Sequence, residues 1–83
     1  MTIDFGSWRL TTRSVPHTDV SLAYRIDTQH GSFVCSGDTD YSETLIELAR
    51  GVDLLILECA FPEEQKVTGH LTPSLAGEMA ARA

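Results

Sequence analysis

An apolar run that stops at a glycine and a carboxylate constrains this chain more than any other feature. Ser32-Phe33-Val34-Cys35-Ser36 reads as a buried strand, with β-branched and aromatic residues bounded by turn formers, and it leads into Gly37-Asp38-Thr39-Asp40. Gly37 allows the sharp turn that leaves the Asp38 carboxylate at the end of the strand. A carboxylate placed there is either a turn device or a ligand, depending on what shares that end of the sheet.

Two stretches precede it. Met1 to Ser14 carries Ile3, Phe5 and Trp8, then an alternating Arg9–Arg13 segment that suggests a half-exposed strand. Pro16 breaks the pattern within Val15–Asp19 and leaves His17 in a junction. Val20–Asp27 then reads as a strand with Leu22, Tyr24 and Ile26 on one face, and Thr28–Gly31 as a turn into Ser32–Ser36. In such an antiparallel hairpin the start of the first strand and the end of the second share an edge, which brings His17 toward Asp38.

Downstream, Asp40 with Glu43 fits a capping box, and Ser42 is a rival cap. Thr44–Arg50 reads as a short helix whose apolar face is Leu45, Ile46, Leu48 and Ala49, with Gly51 as the C′ residue. Val52–Ala60 contains the continuous run Leu54–Leu57, the pattern of a strand covered on both faces. Strand, helix and strand in this order form a βαβ unit with parallel strands. Glu58 and the loop Phe61–Thr72, with its Gly69-His70-Leu71-Thr72-Pro73 segment, therefore project from the edge that carries Asp38. Thr72 as cap and Pro73 at the first helical position open a last helix with Leu75, Met79 and Ala83 on one side. That helix lacks a stop signal before Ala83, as expected of a sequence that was cut.

With 83 residues the chain makes one small domain at most, 1–83. A unit of this size buries only about 60–65% of its unfolded surface, so its core needs help from a metal, a partner or further chain. A composition of 42% hydrophobic and 22% charged residues is that of a globular protein, and no apolar run is long enough to span a bilayer. The formal charge of -6 and the lack of any basic cluster exclude a groove that tracks a phosphate backbone. Cys35 and Cys59 lie inside apolar runs without CxxC spacing, and no secretory signal is present, so they are expected to be reduced, buried thiols of a cytoplasmic protein.

Connectivity thus gathers His17, Asp38, Glu58 and His70 at one edge. Two histidines with carboxylates form a donor set for zinc, and for manganese or iron. Taken singly each residue has a plainer reading: Asp38 as a turn or cap residue, His17 as a loop residue, Glu58 as an edge carboxylate or ion-pair partner. His30 in its Gln-His-Gly turn reads as solvated.

The ordered succession Val15-Pro16-His17-Thr18, Leu22-Ala23-Tyr24-Arg25-Ile26, Ser36-Gly37-Asp38-Thr39, Asp53-Leu54-Leu55-Ile56-Leu57-Glu58 and Gly69-His70-Leu71-Thr72-Pro73 resembles the second half of a metallo-β-lactamase-fold hydrolase of the ribonuclease Z-like kind. The likeness runs from about Arg9 onward. It implies an α/β fold, half of an αββα sandwich whose mixed sheet holds a hairpin and a βαβ unit with helices on one face, and a two-metal site at the sheet edge. By the same resemblance His17 is a ligand of one metal and Asp38 bridges both. His70 assists at the scissile bond as an acid or hydrogen-bond donor, and Glu58 supports it. The family's His-x-His-x-Asp-His motif is absent, as is its last ligand histidine, so this chain by itself carries an incomplete centre.

The expected function is hydrolysis of a phosphodiester or ester by metal-activated water, with zinc the first metal and manganese or iron possible alternatives. The acidic charge makes a small molecule a more suitable substrate than RNA. The alternative is a non-catalytic half that acts through protein contacts, as a homo-oligomer or by association with the missing half of the fold.

Overall fold

The computed structural model describes residues 1–18, 21–59 and 62–83. Five strands form one sheet in the order β1-β2-β3-β4-β5: β1 Thr2–Asp4, β2 Trp8–Ser14, β3 Leu22–Thr28, β4 Gly31–Cys35 and β5 Leu54–Ile56. The first four run antiparallel to their neighbours, and β5 joins β4 in parallel after the helix α1 (Glu43–Leu48). The expected mixed sheet, with its hairpin and βαβ unit, is present.

The N-terminal stretch is two strands rather than one. Asp4 accepts the Gly6 N–H at 2.9 Å, and Gly6 at φ 88° turns the chain back so that Ile3 pairs with Leu10. In the β3–β4 hairpin Thr28 pairs with Gly31 around Gln29-His30, and His30 is exposed at its tip. Val20, the expected first residue of that strand, lies outside the described residues, as do Asp19, Ala60 and Phe61.

One face of the sheet is covered. Ala23 and Val34 point into a core with Leu45, Ile46, Leu48 and Ala49 from the α1 segment and with Leu71 and Met79. Each Val, Leu, Ile or Met among them, fully withdrawn from water, contributes about 1.5–3 kcal/mol. Helix α2 (Pro73–Arg82) supplies Met79 and packs Leu75 at the margin, while Ala83 lies past its end and is exposed. Arg82 ties α2 to the start of α1 through two hydrogen bonds to Glu43, at 2.6 and 2.9 Å, and a third to the Tyr41 hydroxyl.

The other face is open and apolar. Register places Trp8, Tyr24, Phe33, Leu54 and Ile56 on it with Leu22, and all six are at least 38% exposed. The expectation that Leu54–Leu57 is covered on both sides is therefore corrected. β5 is a three-residue edge strand with a layer on one side only among the described residues. The thiols also differ from the expectation that both are buried. Cys35 shares the open face, pairing with Ile56, and is half-buried; Cys59 lies beyond the strand end and is exposed; neither forms a disulfide.

Two caps also differ from the sequence reading. Ser42, not Asp40, is the N-cap of α1, its side chain accepting the Leu45 N–H at 3.1 Å. The helix ends at an Ala49 cap, with Gly51 at φ 73° turning the chain two residues later. Thr72 stands at the N-cap position of α2 but makes no side-chain cap bond. Glu63, from an unanticipated 3₁₀ turn at Glu63–Gln65, accepts the Ser74 N–H at 2.6 Å instead.

Candidate metal centre

The ends of β4 and β5 are tied together by Ser36, a fully buried residue. Its N–H donates to the Ile56 carbonyl at 2.9 Å, its hydroxyl donates to the Gly37 carbonyl at 2.8 Å, and the same oxygen accepts the Glu58 N–H at 3.1 Å. Gly37 then takes φ 59°, a conformation that only glycine adopts without strain, and the chain emerges at Asp38 with 63% of that side chain exposed. Two residues on, the Asp40 N–H donates to the Pro16 carbonyl at 2.8 Å. That bond sets the turn after β4 beside the junction before β3, as the hairpin connectivity requires.

His17 is oriented by its Nδ1, which donates to the Gly69 carbonyl at 2.9 Å, because a carbonyl oxygen can only accept. In the neutral ring Nε2 then carries the lone pair, and it faces Asp38 Oδ2 at 3.8 Å. The His70 ring meets the His17 ring edge-on, with centroids 4.6 Å apart. His70 Nδ1 lies 3.4 Å from Glu58 Oε1. Glu58 is mostly buried; its Oε1 accepts the Leu71 N–H at 2.9 Å and the Thr39 N–H at 3.4 Å. Its Oε2 is buried and accepts no hydrogen bond from a described residue. Asp38, Glu58 and His70 offer donor atoms within 4.8 Å of one another.

All four residues expected from the sequence therefore meet at one end of the sheet, and His30 stays apart. Two overlapping sets result, His17 with Asp38 and Asp38 with Glu58 and His70, and Asp38 is common to both. Sequence reasoning missed Asp40, treated there as a helix cap. The Asp40 carboxylate accepts the N–H groups of Gly69 at 2.9 Å and Tyr41 at 2.8 Å and pairs with Lys66 at 2.8 Å. Burial works against its charge, but the Lys66 ammonium and the Gly69 and Tyr41 N–H groups prevail and hold its carboxyl below the usual carboxylate range. An open cleft of about 300 Å³ lies beside His17, lined by Pro16, Thr18, Asp40, Thr68 and Gly69.

These residues fit a first-row metal ion. The 3.8 Å between His17 Nε2 and Asp38 Oδ2 is too long for a hydrogen bond. It is shorter than the about 4.2 Å that a Zn–N and a Zn–O bond span end to end. An imidazole lone pair and a largely exposed carboxylate thus face each other across a gap within reach of one such ion, which His17 and Asp38 would hold.

Comparisons with known proteins place the chain in a family. The model of the family described as "Beta-lactamase superfamily domain" matches residues 2–83. An uncharacterized Mycobacterium tuberculosis protein, Rv1339, is 36% identical over 84 aligned positions, which cover 98% of this chain and 31% of that protein. The Bacillus subtilis protein YhfI, described as a probable metallo-hydrolase, is 31% identical over 80 positions, 94% of this chain and 33% of its own length. The crystal structure of YhfI, a metallo-beta-lactamase fold protein, superposes with a TM-score of 0.85 at 29% identity, covering 96% of this chain and 33% of that one. The chain thus spans about a third of the length of these relatives. On this match of sequence and backbone, the chain belongs to the beta-lactamase superfamily domain family and has the metallo-β-lactamase fold.

Proposed function

We propose that the chain supplies one part of the centre of a metal-dependent hydrolase that cleaves phosphodiester or ester bonds. The observation that carries this reading is the His17 ring, whose Nδ1 proton is held by the Gly69 carbonyl while its Nε2 lone pair faces Asp38. His17 and Asp38 would hold the metal, with Asp38, common to both donor sets, the residue suited to be shared. Zinc is the first choice, and manganese and iron suit the same donors. A metal held there would supply a hydroxide nucleophile at neutral pH and Lewis acidity toward the bond under attack. His70, whose Nδ1 lies toward Glu58, would donate a proton or hydrogen bond to the leaving oxygen, and Glu58 holds that ring in place. The ribonuclease Z-like subtype is the favoured one, although the charge of -6 suits a small phosphodiester or ester better than RNA. Free thiols at Cys35 and Cys59 favour a reducing compartment such as the cytoplasm. No described helix is long and apolar enough to cross a membrane.

The test uses the protein at its full encoded length, loaded with zinc, manganese or iron(II), on bis(p-nitrophenyl) phosphate and p-nitrophenyl acetate. Turnover is expected. His70→Ala should lower kcat by about 10²–10⁴-fold at unchanged metal content, the usual worth of a general acid. Absence of both metal uptake and turnover overturns the reading.

The open apolar face supports a second reading, in which the chain acts through contacts made there, with the remainder of the fold or with a second copy. Sedimentation of the 83-residue chain distinguishes the two: association is expected, and a well-behaved monomer counts against it.

A further inference from the structure

We propose that Asp40 is a positioning residue, which latches the loop carrying His70 onto the junction carrying His17 and thereby sets which nitrogen of His17 faces Asp38. The proposal rests on the hydrolase reading for its purpose but not for its geometry.

Asp40 is the residue that touches both histidine-bearing segments through their preceding residues. Its N–H donates to the carbonyl of Pro16, and its Oδ2 accepts the N–H of Gly69 at 2.9 Å. Lys66 braces the same oxygen at 2.8 Å and donates to the Val67 carbonyl at 2.7 Å, so the loop is held at more than one point. Gly69 is thus fixed by its N–H on Asp40 and by its carbonyl on His17.

The approach is close enough to need glycine. Residue 69 sits at φ 92°, and a Cβ there would lie 3.1 Å from His17 Nδ1. Releasing the Gly69 N–H lets its carbonyl swing away from that nitrogen, which removes the one acceptor that keeps the proton on Nδ1. The proton then moves to Nε2, the tautomer that free histidine prefers, and the lone pair no longer faces Asp38. Helix capping does not explain Asp40, because Ser42 caps α1.

The test is ¹⁵N–¹H spectroscopy of the histidine rings in the metal-free chain, at a pH where the His17 ring is neutral. Parent protein and Lys66→Met, which keeps the carboxylate, should show His17 mainly as the Nδ1–H tautomer. Asp40→Asn has one carbonyl oxygen for two N–H groups and should lose that preference, with the signal moving toward the Nε2–H form. His17 unchanged in Asp40→Asn overturns the proposal, as does an equal loss in Lys66→Met, which would assign the effect to charge rather than to the Gly69 bond. Should Asp40→Asn fail to fold, amide exchange in the parent decides: a protected Gly69 N–H supports the latch, and exchange at the rate of an open loop amide overturns it. Because this test involves no metal or substrate, a latch found while the full-length protein takes up no metal and turns over nothing overturns the hydrolase reading alone.

Discussion

Three glycines make a graded test of how closely the His70 loop is drawn onto His17. Gly77 lies inside α2 with nothing within 4 Å of a built Cβ, so Gly77→Ala should raise stability by about 0.5–1 kcal/mol through helix propensity alone. Gly51, at φ 73°, also meets nothing within 4 Å, and alanine there carries only the backbone penalty of about 1–2 kcal/mol. Gly69 carries the same kind of penalty at φ 92°, and its Cβ would sit 3.1 Å from His17 Nδ1 and 3.6 Å from His17 Cα. The His17 bond to the Gly69 carbonyl must then lengthen or break, which removes a further ~0.5–1.5 kcal/mol. The expected total for Gly69→Ala is about 1.5–3.5 kcal/mol. At roughly 0.05–0.15 kcal/mol per residue, a chain this size has about 4–12 kcal/mol to lose, so the fold survives. With about 4–8 °C per kcal/mol for a domain of this size, the melting temperature should drop by roughly 6–28 °C, more than for Gly51→Ala, while Gly77→Ala rises by a few degrees. Circular-dichroism melts of the three variants provide the assay. Gly69→Ala melting at or above Gly51→Ala would refute the close approach of residue 69 to His17.

Ser42→Ala should cost about 1 kcal/mol, read as a lower urea midpoint at unchanged slope; no change would return the capping role to Asp40. Glu63 has its carboxyl held below the ordinary glutamate range by the Ser74 N–H it accepts. A lowered folded value means that this tether is present above the unfolded value and is lost as pH falls through the folded one. The Ser74 amide shift should therefore titrate below the usual glutamate range, and it should not titrate in Glu63→Gln. Leu71→Ala, at a fully buried site, should cost about 2–5 kcal/mol, whereas Leu54→Ala on the open face should stay within about 0.5 kcal/mol. Equal losses would mean that something covers the open face.

Connectivity carried most of the site's information. A hairpin and a βαβ unit leave few ways to arrange their ends, so the placement of His17, Asp38, Glu58 and His70 at one end followed from strand order, and the structure brings them together. Periodicity was less informative about layers. The run Leu54–Leu57 has the same pattern whether one or two faces are covered, and only the structure shows Leu54 and Ile56 exposed. The first hairpin escaped notice because its turn, Phe5-Gly6-Ser7, is short and its strand Thr2–Asp4 has three residues. Cap assignment failed where two acceptors compete within three positions: Asp40 and Ser42 both precede the helix, and tertiary bonds to Gly69 and Lys66 draw Asp40 away. Such partners, 26 and 29 residues distant, leave no local signal.

The central claim is that His17 and Asp38 share an ion, and a zinc titration of the 83-residue chain followed by histidine ring nitrogen signals tests it most directly. His30, exposed on its turn, serves as the internal reference. The account predicts that His17 Nε2 responds at lower zinc concentration than His30, and that Asp38→Ala abolishes this lead. His17 responding no earlier than His30, or an Asp38→Ala chain that titrates like the parent, would contradict it.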